Sequence, residues 1–225
     1  PPPPPPPPPP RALGGGGTAG DSLLVCPLGV RVVPGAHNRG YLPHFESDRV
    51  IQMVTFRLAD SLPAHVAQRL ATEPLTDEGD SEYRRRIGEW LDAGYGGCLL
   101  RHPVNAQLVQ DALLHFHDSH YRLHCWVIMP NHVHVMVEML TPHLLQRSVQ
   151  SWKNYSARRM VERCNIGPVW QRDYWDRYIR DKRHYSLAVE YILENPVKAG
   201  LVADARDWTW SSGHGSNSGS SWKPI

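Results

Sequence analysis

Apolar and polar positions change period several times along this chain, and each change marks an element. Residues 50–58 (VIQMVTFRL) are β-branched and aromatic with partial alternation, which predicts a strand. LADSLP breaks the pattern, with Ser61 and Pro63 placed to open a helix through about residue 72. Residues 81–94 set Ile87, Trp90 and Leu91 on one helical face and end at Gly94. A third helix is predicted over 103–118, opened by Pro103. Residues 121–129 (YRLHCWVIM) predict a strand, Pro130 and Asn131 interrupt it, and 132–138 (HVHVMVE) alternate as a second strand. Residues 144–164 form a long amphipathic helix, 167–181 an aromatic, basic segment that is extended or irregular, and 184–194 a helix ended by Asn195 and Pro196. Helices mixed with one adjacent strand pair predict an α+β, ferredoxin-like sandwich. One face of its antiparallel sheet is expected to be covered by helices and the other free.

Composition divides the chain. Ten of the 21 prolines are residues 1–10, followed by a glycine run, so 1–39 is expected to be a disordered head. Residues 40–212 are expected to be one folded domain and 213–225 a polar, flexible tail. Collagen is excluded, because Gly has no period of three. A wholly disordered chain is disfavoured by 41% hydrophobic residues and eight Trp. No stretch approaches 18 consecutive apolar residues, so no membrane span is expected. The four cysteines form no CxxC pair and no zinc spacing, and are read as reduced thiols. The net charge of +2 hides an asymmetry: residues 151–200 hold 10 Lys/Arg and 6 Asp/Glu, residues 51–100 hold 5 and 8. A polyanion would favour the C-terminal half.

Three groups of residues can carry chemistry. His132 and His134 are two apart on a predicted strand, so both imidazoles share one face while Val133 and Val135 enter the core. Two imidazoles can hold a divalent ion given a third ligand. So short a motif is equally compatible with two of the chain's thirteen histidines lying on a surface, but the apolar strand around it calls for a reason. Tyr191 and Asn195 are i and i+4 on a helix, which puts a phenol and an amide side by side. Spacing alone favours a core tyrosine and an Asn-Pro helix end there. Lys153, Arg158, Arg159, Arg163, Arg172, Arg177 and Arg180, interleaved with Trp170, Tyr174, Trp175 and Tyr178, suit single-stranded nucleic acid. Some of those rings must instead belong to the core. The Arg84–Arg86 run beside Glu78, Asp80 and Glu82 reads as a solvated helix face.

On GYLPHF (40–45), VTFRLADSLP (54–63), LDAGYGGCLL (91–100), WVIMPNHVHVMVE (126–138), QSWKNYSARR (150–159), GPVWQRDYWDRYIRD (167–181), YILENPVKAGLV (191–202) and DWTWSS (207–212), the sequence resembles the REP-associated tyrosine transposases, single-tyrosine relatives of insertion-sequence transposases with an HUH nuclease domain. The resemblance implies a metal held by His132, His134 and Asn195, either Mg²⁺ or Mn²⁺, and Tyr191 as the nucleophile that forms a 5′-phosphotyrosine with single-stranded hairpin DNA. Tyr155 is a competing tyrosine that lacks the i+4 amide. Lys153, Arg158, Arg159, Arg172, Arg177, Arg180 and Lys198 are the expected DNA contacts. A bacterial cytoplasmic setting and a monomer or homodimer follow from the same resemblance. The polyproline head stands outside the family pattern, and the roles of His184 and of residues 64–120 are open. The competing readings are a non-catalytic nucleic-acid-binding protein on this scaffold and an unrelated HxH metal hydrolase. A TIM barrel would need repeated βα units the chain lacks, and a cupin would need a further ligand on later strands.

Overall fold

The computed structural model describes residues 35–38, 43–46, 50–72, 81–140, 143–164 and 167–215. Strands β1 (Gly35–Asn38) and β2 (Pro43–Glu46) pair as a small antiparallel sheet. The first of them lies inside the segment expected as a head. Residues 1–34 of that head and 216–225 of the tail lie outside the described residues. The main sheet holds β3 (Ile51–Arg57), β4 (Tyr121–Ile128), β5 (His132–Met139) and β6 (Trp175–Tyr178), with β6 forming where only an extended or irregular segment was expected. Its spatial order is β4-β5-β3-β6 and every pairing is antiparallel. Taken in chain order, these four strands lie 4-1-3-2 across the sheet, the βαββαβ order of the ferredoxin-like fold.

Helices α1 (Ala64–Thr72), α2 (Ser81–Asp92) and α3 (Pro103–His115) connect β3 to β4, and α4 (Leu145–Cys164) connects β5 to β6. The alternation of the strands decides what each face meets. Val54, Phe56, Val133, Val135 and Val137, all fully buried, pack on Val109 and Leu113 of α3 and on Val149, Trp152 and Met160 of α4. The other face is not free, contrary to expectation. Helix α5 (Lys182–Lys198) covers it, laying Ala188 and Ile192 on Cys125, Val127 and Met136. Its Tyr185 hydroxyl meets His124 Nδ1 at 3.1 Å. The apolar character of Cys125, Val127 and Met136 is the physical reason, since bare they would leave a hydrophobic patch in water. The Cys125 thiol, in that layer, is pushed up to about 12 by burial.

Helix α5 also runs further than predicted. Asp181 caps its start by accepting from the His184 backbone N–H, and the His184 ring nitrogen Nδ1 accepts from the Arg180 backbone N–H at 3.3 Å. Pro196 sits inside the last turn, where its missing N–H removes one rung of the ladder. The end is closed by Gly200 at φ +67, with Leu201 N–H on the Pro196 carbonyl and Gly200 N–H on the Val197 carbonyl. Asn195 is therefore a fully buried residue within the helix, not its stop.

Helices α1 and α2 make a smaller core beside β6, with Leu62, Val66, Ile87 and Leu91 packed by Trp90 and Trp175. The C-terminal DWTWSS segment lies along β4: Ile128 N–H donates to the Trp210 carbonyl and Ser212 N–H to the Trp126 carbonyl. That arrangement covers part of an edge that would otherwise offer free donors and acceptors. Among the described residues, no helix is long and apolar enough to cross a membrane.

Candidate active site

The site grows from the turn between β4 and β5. Met129 N–H donates to the His132 carbonyl, Leu58 N–H to the Asn131 carbonyl and Leu100 N–H to the Pro130 carbonyl. The Pro130–Asn131 turn is thus tied to the end of β3 and to the turn before α3, and His132 and His134 leave it on a fixed strand. Both imidazoles are buried on the α5 face, with ring centroids 4.7 Å apart.

Their proton positions follow from their partners. The Asn131 side-chain N–H donates to the Tyr95 carbonyl at 2.9 Å, which leaves its Oδ1 facing His132 Nδ1 at 2.7 Å. A carbonyl oxygen only accepts, so His132 carries its proton on Nδ1 and presents a lone pair at Nε2. That lone pair faces His134 Nε2 at 3.0 Å. Without a cation, His134 Nε2–H donates across this gap and Thr55 Oγ1, 2.7 Å from His134 Nδ1, is the donor there. If His134 Nε2 were to hold a cation, the same hydroxyl would accept from Nδ1–H instead, since a hydroxyl can do either. Burial, with His134 adding to it at His132, depresses both pKa values: His132 far below the ordinary range and His134 to about 3. Neutral imidazoles are the ligating form.

Helix α5 brings the other predicted pair to the same place, within one chain. The Tyr191 ring lies 5.2 Å from the His134 ring, and Lys198 Nζ stands 5.3 Å from the Tyr191 centroid. Asn195 is fully buried, and neither Oδ1 nor Nδ2 completes a hydrogen bond of normal geometry, although the amide is close enough to favour the anionic forms of Tyr191 and Asp92. Burial, and then the charge of Asp92, push the Tyr191 phenol up to about 12.

Asp92 is the member the motifs did not single out. It ends α2, and its Oδ1 is buried without a hydrogen-bond partner 3.9 Å from His132 Nε2. Desolvation raises its pKa, and Lys198 opposes that rise. The signal was present in LDAGYGGCLL, where an acid precedes a glycine-rich turn. Gly97 N–H donates to Asp60 at 2.7 Å, and the Tyr95 carbonyl holds Asn131, so this loop is fastened at both ends. Gly96 has φ +91, and a Cβ there would lie 2.5 Å from the Asp60 carbonyl oxygen. Gly96→Ala is expected to lower stability by about 2–4 kcal/mol, read from urea denaturation. Unfolding within about 0.5 kcal/mol of the parent would show that the loop does not need this conformation.

The predicted DNA contacts separate by face. Arg177 on β6 is exposed and, two residues from Trp175, shares the histidine face; Lys198 is beside Tyr191. Arg172 and Arg180 are exposed on either side of β6, with Arg180 5.5 Å over the Tyr178 ring. Arg158 and Arg159 are exposed on α4, across the sheet from the histidines, and so is Tyr155. Lys153 gives two of its three donors to the carbonyls of Gln171 and Arg172, at 2.6 and 2.7 Å, and burial lowers its pKa to about 8. That lysine fastens α4 to the strand entering β6. Trp170 and Tyr174 are core rings, Trp170 lying 5.0 Å from Phe56.

Known proteins are similar to this chain over part of its length. The family described as "Transposase IS200 like" matches residues 102–195, a span that holds His132, His134, Tyr191 and Asn195. A REP-associated tyrosine transposase of Escherichia coli (strain K12) is 29% identical over 97 residues, 43% of this chain and 57% of that protein. A Haemophilus influenzae protein assigned provisionally to the same kind is 26% identical over 100 residues, 39% of this chain and 56% of its own length. The chain therefore aligns with little more than half of these relatives. A solved structure of a REP-associated tyrosine transposase bound to a REP hairpin covers 80% of this chain at 18% identity, with a TM-score of 0.47. Over its residues 102–195 and these partial alignments, this chain is similar to the IS200-like and REP-associated tyrosine transposases.

Proposed function

We propose that this chain is a divalent-metal-dependent endonuclease and strand transferase acting on single-stranded hairpin DNA, through a tyrosine nucleophile. One observation carries the reading: two imidazoles face each other on β5, with the Tyr191 ring of α5 5.2 Å from one of them and the unsatisfied buried amide of Asn195 one turn further along that helix. The donor set fits a divalent cation. The 3.0 Å between the two Nε2 atoms equals the spacing of neighbouring donors that each lie about 2.1 Å from one octahedral ion. His132 Nε2, His134 Nε2 and the Asn195 carbonyl would hold Mg²⁺ or Mn²⁺ there. When bound, the cation supplies positive charge against a non-bridging oxygen of the scissile phosphate.

The remaining work falls to the chain. Tyr191 Oη attacks phosphorus, the bond from phosphorus to the 3′ oxygen breaks, and the phenolic proton is released as that oxygen gains one. A phosphotyrosine on the 5′ side and a free 3′-OH result, and attack by a 3′-OH reverses the step with no outside energy source. The phenol's raised pKa means that it reacts only where positive charge stabilises its anion, and the nearby cation of the chain is Lys198, its Nζ 5.3 Å from the ring centroid. Arg177, on the same face, suits the backbone of an incoming strand. The test is incubation of the chain with REP-type hairpin DNA and Mn²⁺. A covalent protein–DNA adduct mapping by mass spectrometry to the peptide holding Tyr191 is expected, and chelation with EDTA should prevent it. Hairpin binding with no adduct under any divalent metal would leave the non-catalytic reading in its place.

A further inference from the structure

We propose that Asp92 is the anionic ligand of the divalent cation, an inference that rests on the metal-dependent reading of this site. Two neutral imidazoles and an amide carry no charge, whereas hard divalent cations are ordinarily held with at least one carboxylate. Asp92 is the carboxylate whose Oδ1 is buried beside the pair, 3.9 Å from His132 Nε2 and without a hydrogen-bond partner. A carboxylate oxygen taken out of water and left unpaired is expensive unless a cation meets it. The separation falls between that of neighbouring donors, about 3.0 Å, and opposed donors, about 4.2 Å, on one ion with ligands at 2.1 Å. Among the described residues, no three His, Cys, Asp or Glu side chains already stand at ligating distance of one point.

The backbone around Asp92 is built to hold it there. Gly94, at φ +70, ends α2 two residues later, and the following loop is bound to Asn131, the residue that also orients His132. One loop therefore sets both the carboxylate and the imidazole. Lys198 and Glu89 are the charged groups that act on Asp92, and the Asn195 amide also favours its anion. A bare carboxylate at this place would repel the phosphate that the site is proposed to bind, and ligation removes that conflict. The assignment also gives the helices between β3 and β4 a function: α2 delivers a ligand.

The experiment titrates Mn²⁺ into the full, EDTA-treated and dialysed chain without DNA, with free Mn²⁺ read by electron paramagnetic resonance. The parent is expected to bind one equivalent, and His132→Ala to lose the site. Asp92→Asn should weaken binding at least tenfold while melting as the parent does without metal, and Asp92→Glu should recover part of the loss. If Asp92→Asn does not fold, Asp92→Ala is read the same way. Parent-like Mn²⁺ affinity in the Asp92 variants, with binding still lost in His132→Ala, would overturn the role of Asp92 alone. Parent binding that survives in His132→Ala, or no binding by the parent, would overturn the metal-dependent reading and this inference together.

Discussion

Tyr191→Phe is expected to fold as the parent does and to form no covalent adduct with hairpin DNA, a loss of about three orders of magnitude or more. The substitution keeps the ring that meets His134 at 5.2 Å and Lys198 at 5.3 Å, so the packing of α5 on the sheet is unchanged. It removes only the hydroxyl, whose anion is disfavoured by burial and by Asp92. Stability is therefore expected to stay within about 1 kcal/mol of the parent, or to rise slightly. Tyr155→Phe is the control. Tyr155 is 43% exposed on α4, and α4 lies across the sheet from both histidines. Its variant should give the adduct within about twofold of the parent, as judged by the labelled band on a denaturing gel. An adduct that persists in Tyr191→Phe and disappears in Tyr155→Phe would transfer the nucleophile to α4 and require a second chain to complete the site.

The difference between what could and could not be read in the sequence is physical. The core strands were legible because β3, β4 and β5 are rich in β-branched, aromatic and other apolar residues, and the HxH pair because period-two alternation fixes its face. The pairing of Tyr191 with Asn195 followed from helical spacing. The free sheet face was a misreading: Cys125, Val127 and Met136 lie on the histidine face, and their apolar character required a cover that a single-strand pattern does not name. The helix end at Asn195 was misplaced because Pro196 was given its usual weight as a breaker, whereas one lost rung in a last turn is outweighed by the Gly200 cap and the burial of both residues. Asp92 and Thr55 were not singled out because each reaches the histidines only through tertiary placement, from a helix 40 residues upstream and from the neighbouring strand. Lys153 had the composition of a phosphate contact and turned out to hold two carbonyls, a partner that only the folded chain supplies.

Asn131→Leu is expected to weaken Mg²⁺ or Mn²⁺ binding by about 10- to 100-fold without touching a ligand. Asn131 is fully buried in the turn before β5, and its two side-chain bonds do separate things. The bond to Tyr95 fixes which way the amide faces, and the bond from His132 Nδ1 then fixes where the imidazole proton sits. Leucine fills a similar volume and offers neither bond, so the Tyr95 carbonyl and the His132 N–H each lose a partner, at about 1–3 kcal/mol per orphaned group. The proton on His132 is then free to move to Nε2, and in that form the nitrogen facing His134 can no longer accept a cation. Nitrogen-15 NMR of the histidine rings reads this directly, independently of DNA cleavage. In the metal-free parent, His132 should appear as the Nδ1–H tautomer and His134 as the Nε2–H tautomer, with Thr55 donating to His134 Nδ1. Saturating Mg²⁺ should move the His134 proton to Nδ1 and leave His132 as it was. In Asn131→Leu, His132 should become a mixture of tautomers before any metal is added. A pure Nδ1–H signal for His132 in the variant would mean that Asn131 does not set the tautomer, and an Nε2–H signal for His132 in the metal-free parent would mean that the amide faces the other way.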